Sequence, residues 1–152
     1  VFVLEAVADA RWQVDRFLAP TPVRVLVDLR GNDLTDARDA RRIAADFEDE
    51  PPHRFLEQRS FNARVLKSLV ESATESAGTR TRALMAAAAE RATATLQADI
   101  QRLVDLAKVN DHIRPEEIAL AREQLDRTRA AIAAARLRLD SMRVILEGER
   151  EG

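Results

Sequence analysis

The spacing of hydrophobic residues changes near residue 60, and this change limits what the chain can fold into. Before it, "VFVLEAVAD" and "VRVLVD" are apolar runs rich in β-branched residues, which favour strands. After it, Ala, Leu, Arg and Glu dominate, and all four favour helices. The sequence therefore predicts an α+β fold in which a small antiparallel β-meander at the N-terminal end precedes a long antiparallel helical hairpin that resembles a coiled coil.

The predicted sheet occupies residues 1–35 and contains three short strands. "VFVLEAV" and "VRVLVD" are the first and third, and "RWQVDRF", with Trp12 and Phe17 among charged residues, is the second. Pro20 and Pro22 lack the amide hydrogen that a central strand donates, so we expect them at a strand start or a sharp connection. "RGN" at residues 30–32 tolerates positive φ and predicts a hairpin turn.

Residues 36–60 have weak periodicity and are interpreted as a connector. "DARDARRIAADF" is compatible with a short helix, and "EDEPPH" ends it with acidic residues and two prolines. The acidic group precedes a proline pair and lacks the ligand spacing and glycine of a calcium loop. We therefore interpret it as a solvated loop and not as a metal site.

Two long helices are predicted, over residues 61–109 and 115–147. The short link "NDHIR" forces them to run antiparallel, and Pro115 suits the first position of the second helix. The glycine of "ESAGTRT", Gly78, predicts a kink or break in the first helix.

The second helix carries apolar and small residues at alternating spacings of three and four, the period of a left-handed supercoil. These seam positions are Ile118, Ala121, Leu125, Thr128, Ile132, Ala135, Leu139, Met142 and Leu146. Folding the hairpin at residue 112 places them opposite Leu106, Leu103, Ile100, Leu96, Ala92, Ala88, Leu84, Thr81 and Ala77.

The composition limits the class of protein. A chain of 152 residues that is 46% hydrophobic can bury one core, so we expect a single domain over residues 1–152. Because the chain opens without Met, inside an apolar run, we expect it to be a fragment of a larger protein. The formal charge of −2 provides no general attraction for nucleic acid or anionic lipid, and no apolar run is long enough to span a membrane.

Motifs for catalysis and for cofactor binding are absent from the sequence. The two histidines, His53 and His112, belong to no HExxH arrangement, and the four glycines form no phosphate-binding loop. Cysteine is absent, which excludes disulfides and thiolate metal sites. We therefore predict no catalytic, cofactor-binding or metal-binding residues, and the residues themselves indicate only an interaction module.

Three segments carry a resemblance to a known family. "RFLAPTPVRVLVDLRGNDL", "VNDHIRPEEI" and "RLRLDSMRVI" resemble, in order and spacing, the C-terminal region of the RapA family, which are RNA polymerase-associated, SWI/SNF-type ATPases of bacteria. The similarity covers nearly the whole chain. Two departures, Ala19 in place of a usual Pro and "NDHIR" in place of "NPNIR", are conservative for a turn.

The matching positions belong to all three segments. They are Arg16, Phe17, Leu18, Thr21, Pro22, Arg24 and Asp28 in the first, Val109, Asn110, Ile113, Arg114 and Glu117 in the second, and Leu139, Asp140 and Arg143 in the third. Arg24, Arg114 and Arg143 are the possible interaction residues. The resemblance selects them, and neither the hydrophobic pattern nor the turn chemistry of the sequence explains them. Each either ties a turn or helix end or contacts a partner.

The resemblance implies a role within a larger cytoplasmic motor. This chain would be a non-catalytic accessory domain that docks on RNA polymerase or on the parent's own motor domains, and the parent would recycle polymerase after transcription. ATP and magnesium would bind the motor domains, and DNA would be contacted through the parent. The alternative is a helical-hairpin scaffold or interaction module of an unrelated protein.

Overall fold

The computed structural model describes residues 1–38, 57 and 61–145, with backbone only for residues 62 and 63. The predicted connector lies outside the described residues except at 36–38 and 57. Strand β1 is Phe2–Glu5, and two 3₁₀ turns follow at Ala10–Trp12 and Val14–Arg16. The remaining elements are β2 (Thr21–Val23), a π-helical segment (Phe61–Leu66), α1 (Lys67–Ala107), α2 (Pro115–Ala133) and β3 (Arg136–Leu139).

The chain divides into two compact units. The first unit contains Val1–Phe2, Val23–Thr79 and Leu139–Gly152, and the second contains Val3–Pro22 and Arg80–Arg138. Both the small sheet and α1 contribute residues to each unit.

The sheet has the order β2-β1-β3 and is antiparallel, which confirms the α+β class. Pro22 is the middle residue of β2 and not at a strand start, but β2 is an edge strand, so the missing amide hydrogen breaks no central ladder. The Val1 nitrogen donates to the Ser141 carbonyl oxygen at 2.7 Å, and the Ser141 amide donates to the Val1 carbonyl oxygen at 3.2 Å. This exchanged pair continues the pairing of β1 with the segment after β3.

The prediction that "RWQVDRF" forms a strand is wrong. It forms the two 3₁₀ turns, joined at Gln13, whose φ is 50°. The Asp9 side chain accepts a hydrogen bond from the Arg11 amide at 3.0 Å and caps the first turn. Trp12, Val14 and Phe17 are nevertheless buried, because two successive tight turns place side chains two and three residues apart on one side. Their spacing resembled strand alternation for this reason.

The predicted end of the second helix is also wrong. Instead of reaching residue 147, α2 ends at Ala133, and residues 136–139 form the third strand of the sheet. "RLRL" alternates with period two, which suits a strand, and pairing with β1 satisfies backbone groups that a longer helix would leave unpaired on β1. Ala135, Leu139 and Met142 are therefore not helical seam positions, and Leu146 lies outside the described residues.

The first helix follows its prediction closely but does not break. The π-helical segment starts at Phe61, and α1 continues through Gly78 to Ala107. A Cβ added at Gly78 would meet no atom within 4 Å, so packing does not require a glycine there. The propensity cost of a single helical glycine, about 1 kcal/mol, is offset by the rest of the helix.

The predicted seam is buried in the second unit as far as α2 extends. Leu125, Thr128 and Ile132 are buried on α2, and Ile118 and Ala121 are partly buried. On α1, the buried positions of this unit are Thr81, Ala88, Ala92 and Leu96, whereas Leu84 and Leu106 are more exposed than predicted. The 3.5-residue period therefore identified the correct face of both helices.

The 3₁₀ turns pack against the helices of the second unit. Both turns contact α2. The Thr128 hydroxyl, which is fully buried, donates to the Trp12 carbonyl oxygen at 3.4 Å, and the Arg91 guanidinium donates to the Phe17 carbonyl oxygen at 3.0 Å. These carbonyl groups have no neighbouring strand to donate hydrogen bonds to them, and the two side chains supply the donors instead.

In the first unit, residues 26–35 form a hairpin that contacts α1. Val27 and Asp33 form an isolated antiparallel bridge, and the Leu34 amide donates to the Leu26 carbonyl oxygen at 2.8 Å. Gly31 has φ of 83°, and a Cβ placed there would lie 2.8 Å from the Ser72 Oγ. The turn predicted from "RGN" therefore exists, and its positive φ favours glycine, while a Cβ there would also require the Ser72 hydroxyl to shift.

We expect Ile132→Ala to destabilise the chain by about 2–5 kcal/mol, because it empties a fully packed site on the α2 seam. Ile132 is 1% exposed, whereas Leu120 on the same helix is 58% exposed. Leu120→Ala is the matched control and should change the free energy of unfolding by less than about 0.5 kcal/mol. Urea unfolding of both variants measures the difference, and equal losses would contradict the assigned face.

Gly31→Ala should destabilise the chain by about 1–3 kcal/mol, because it adds backbone strain at positive φ and a collision with Ser72. The double variant Gly31→Ala, Ser72→Gly removes the collision and leaves the strain. Ser72→Gly is the control for the cost of a helical glycine. Thermal unfolding of the three variants separates the cost of backbone strain from the cost of the contact with Ser72. A stability of Gly31→Ala equal to that of the wild type would contradict the close approach.

Candidate functional site

A cavity of about 510 Å³ lies within the first unit and is lined mainly by apolar side chains. The described lining residues come from the start of β1, from the hairpin of residues 26–35 and the residues beside it, from residues 61–73 and from the segment that begins at the end of β3. Leu66, Leu69, Val70 and Ala73 come from the helical wall. They repeat at spacings of three and four because that spacing places side chains on one helical face.

Several large apolar side chains around this cavity are exposed to solvent. Leu29 is 77% exposed, Met142 is 51% exposed and Leu139 is 44% exposed. Leu29 is a central residue of the hairpin turn, and its side chain projects largely into solvent. Exposed apolar residues that are close together mark interaction sites more often than isolated ones do.

The ionisable side chains described around the cavity are three arginines and one aspartate. Arg30, Arg38 and Arg143 supply the positive charges, and all three are exposed. Asp28 supplies the negative charge. Arg38 and Arg143 already take part in interactions within the chain.

The Asp28 carboxylate stabilises the turn that contains Leu29 and Arg30. Its Oδ1 accepts hydrogen bonds from the amides of Arg30 and Asn32, both at 2.9 Å, and its Oδ2 accepts one from the Asn32 side-chain amide at 2.8 Å. The bond from the Asn32 side chain is the largest cause that lowers the pKa of Asp28, followed by the bond from the Asn32 amide. The carboxylate therefore stays ionised and engaged with its own turn.

The structure places the three arginines selected by the resemblance in different settings. Arg24 is exposed beside the buried Val23, as expected for adjacent residues of an extended segment. Arg143 lines the cavity of the first unit. Arg114 belongs to the second unit, where it precedes α2. Their assignment as interaction residues stays a prediction.

Arg114 has a local role through its backbone. Its amide donates to the Glu117 carboxylate at 3.3 Å, and its carbonyl oxygen accepts from the Glu117 amide at 3.0 Å. These bonds cap the start of α2, and the acidic Glu116 and Glu117 suit the positive end of the helix. The guanidinium itself is exposed and is not needed for the cap.

Sequence reasoning did not identify Leu29, Arg30, Arg38 or Met142 as site residues. Met142 was assigned to the helical seam because its spacing continued that of Leu139, and the end of α2 at Ala133 removed that assignment. Leu29 and Arg30 lay within a recognised turn signal, but the sequence did not show that this turn borders a cavity. The signal that was available is a large apolar residue placed in a turn.

No group of three or more potential metal ligands occurs in the part of the chain that the structure describes. His112 lies in the interhelical link, and its amide donates to the Asn110 side chain at 3.0 Å. His53 and the acidic group of the connector lie outside the described residues. Neither α1 nor α2 is long and apolar enough to cross a membrane.

Asp28→Ala should lower the melting temperature at neutral pH, because the turn loses three hydrogen bonds. The pKa of Asp28 is lowered in the folded chain, so its contribution to stability is present above its ordinary pKa and is lost as the pH falls through the folded pKa. The difference between wild type and variant should therefore shrink in acid. Asp111→Ala, in the exposed interhelical link, is the control, and a pH-independent difference for Asp28→Ala would contradict this role.

Comparison with known proteins identifies the family. The model of the RNA polymerase recycling family, C-terminal, matches residues 1–147. The RNA polymerase-associated proteins RapA of Actinobacillus pleuropneumoniae serotype 3 (strain JL03) and serotype 7 (strain AP76) are each 30% identical to this chain over 151 residues, which are 98% of it. The match covers 15% of each relative, so the chain spans a small part of their length. The chain therefore belongs to the RNA polymerase recycling family and corresponds to its C-terminal region, as the resemblance indicated.

Proposed function

We propose that this chain is the C-terminal accessory domain of a RapA-like, ATP-dependent RNA polymerase recycling factor and that it serves in docking, not in catalysis. The observation that carries the proposal is the family match over residues 1–147. The relatives are RNA polymerase-associated proteins, and that association comes to this chain as part of the proposal.

The chemistry of the chain supports docking. Its four glycines form no phosphate-binding loop in the sequence. The first unit instead has exposed apolar side chains beside arginines, a combination that is common at protein interfaces. The motor activity of the parent, with ATP and magnesium, belongs in this proposal to the part of the longer protein that this chain does not cover.

The proposal also includes where the parent acts and how it contacts DNA. The factor acts in the cytoplasm, where polymerase is found, and contacts DNA through other parts of the parent. The near-neutral balance of 24 basic and 26 acidic residues in this chain supports that division, because counterion release needs clustered positive charge. No observation favours the alternative of an unrelated helical scaffold.

Deletion of residues 1–147 from the parent tests whether this domain serves in docking while the rest of the parent hydrolyses ATP. We expect the deletion to weaken RNA polymerase binding at least about tenfold, the loss expected from removing an interface anchor, while ATP hydrolysis by the motor persists. The 152-residue chain alone should neither bind nor hydrolyse ATP. Titration with core polymerase and a phosphate-release assay give both readouts.

Two results would contradict the proposal. Unchanged polymerase affinity after the deletion would exclude docking on polymerase by this domain. ATP hydrolysis that co-purifies with the 152-residue chain would exclude a non-catalytic role. A parent with the exposed Leu120→Ser substitution serves as a control for a surface change in the second unit.

A further inference from the structure

The cavity of the first unit has the size and the apolar lining that are typical of a binding site. Its volume, about 510 Å³, falls within the range of roughly 300–1,000 Å³ that is typical of ligand pockets. Its described lining comes from the start of β1, a hydrogen-bonded turn, one helical face and the irregular segment after β3, all within the same unit. Leu29 and Met142 expose apolar surface beside it, which a partner would remove from water.

The charges beside the cavity indicate the character of that partner. The described lining residues include three guanidinium groups and one carboxylate. That carboxylate, of Asp28, accepts three hydrogen bonds within its own turn. Arg30 and Arg143 are exposed. An incoming carboxylate would therefore meet positive charge, and guanidinium groups bind carboxylates in a bidentate geometry.

Arg38 and Arg143 already take part in interactions within the chain, so the preference for a carboxylate depends mainly on Arg30. Nucleic acid fits less well, because the described lining is mainly aliphatic: Phe2 is buried, and Phe61 is half-buried and already makes an interaction within the chain. The combination favours a protein segment with apolar side chains and flanking carboxylates.

We infer that this cavity is the surface on which the domain binds RNA polymerase and that it receives an acidic polymerase segment carrying apolar side chains. The inference rests on the proposed function and adds to it the surface and the chemistry of the segment. Leu29 and Met142 contact the apolar side chains, and Arg30 and Arg143 pair with the carboxylates.

Paired substitutions in the full-length parent test this assignment. Leu29→Ser removes exposed apolar surface at the cavity, and Leu120→Ser makes the same change at an exposed leucine of the second unit. Arg30→Glu reverses a charge at the cavity, and Arg122→Glu reverses one on the exposed surface of α2. Arg30→Gln removes the charge without placing a second carboxylate near Asp28.

Titration with core RNA polymerase at two salt concentrations and thermal unfolding are measured for each variant. We expect Leu29→Ser and Arg30→Glu each to weaken binding by about tenfold with an unchanged melting temperature. Arg30→Gln should weaken it less and should reduce its salt dependence. Leu120→Ser and Arg122→Glu should bind as the wild type does.

The outcomes separate this inference from the proposed function. If the wild-type parent fails to bind polymerase, the proposed function fails and the inference fails with it. If the wild type binds and the cavity variants match their controls, the function stands and the inference is overturned.

Three further results would assign the cavity to another occupant and overturn the inference. A lower melting temperature for Leu29→Ser in the parent would show that the rest of the longer chain covers the cavity. Loss of a concentration-dependent dimer would assign it to a second copy. A change confined to RNA or DNA affinity would assign it to nucleic acid.

Discussion

The unbroken helix α1 is the element on which both units depend. A helix in water is stabilised mainly by packing of one face, since propensity alone is marginal. The face of α1 in the second unit carries Thr81, Ala88 and Ala92, which are small enough to allow close approach of neighbouring elements. In the first unit, Ser72 of the same helix lies close to Gly31, where a Cβ would require the Ser72 hydroxyl to shift. Substitutions on either face of α1 therefore affect more than the helix itself.

The second unit shows how irregular backbone becomes part of a core. The two 3₁₀ turns bury Trp12, Val14 and Phe17, yet they have no sheet partner for their carbonyl groups. Thr128 and Arg91 supply the missing donors from α2 and α1. Each such bond contributes only about 1 kcal/mol net, but leaving a buried carbonyl unpaired costs more. The side chains that reach these carbonyls therefore matter for the fold as well as the apolar packing does.

The candidate site follows from the way the first unit closes. Its cavity is formed where the start of β1, a hydrogen-bonded turn, one face of α1 and the segment after β3 meet. Asp28 holds the turn, and the turn holds Leu29 and Arg30 at the edge of the cavity. Local hydrogen bonding thus positions the side chains that we assign to polymerase binding, and family membership supplies the reason to expect that partner.

Local patterns in the sequence determined the α+β class, the extent of α1, the start of α2, the hairpin turn at Gly31 and the buried face of both helices. Propensity, capping and periodicity act within a few residues, so they can be read without the fold. They failed for "RWQVDRF" and for residues 136–139, because burial against α2 and pairing with β1 decided those segments. Arg143, selected from the sequence as a possible interaction residue, borders the cavity, but its role stays a prediction, and Leu29 and Arg30 were missed. Whether a residue borders a cavity depends on segments distant in sequence, and only the tertiary structure brings those segments together.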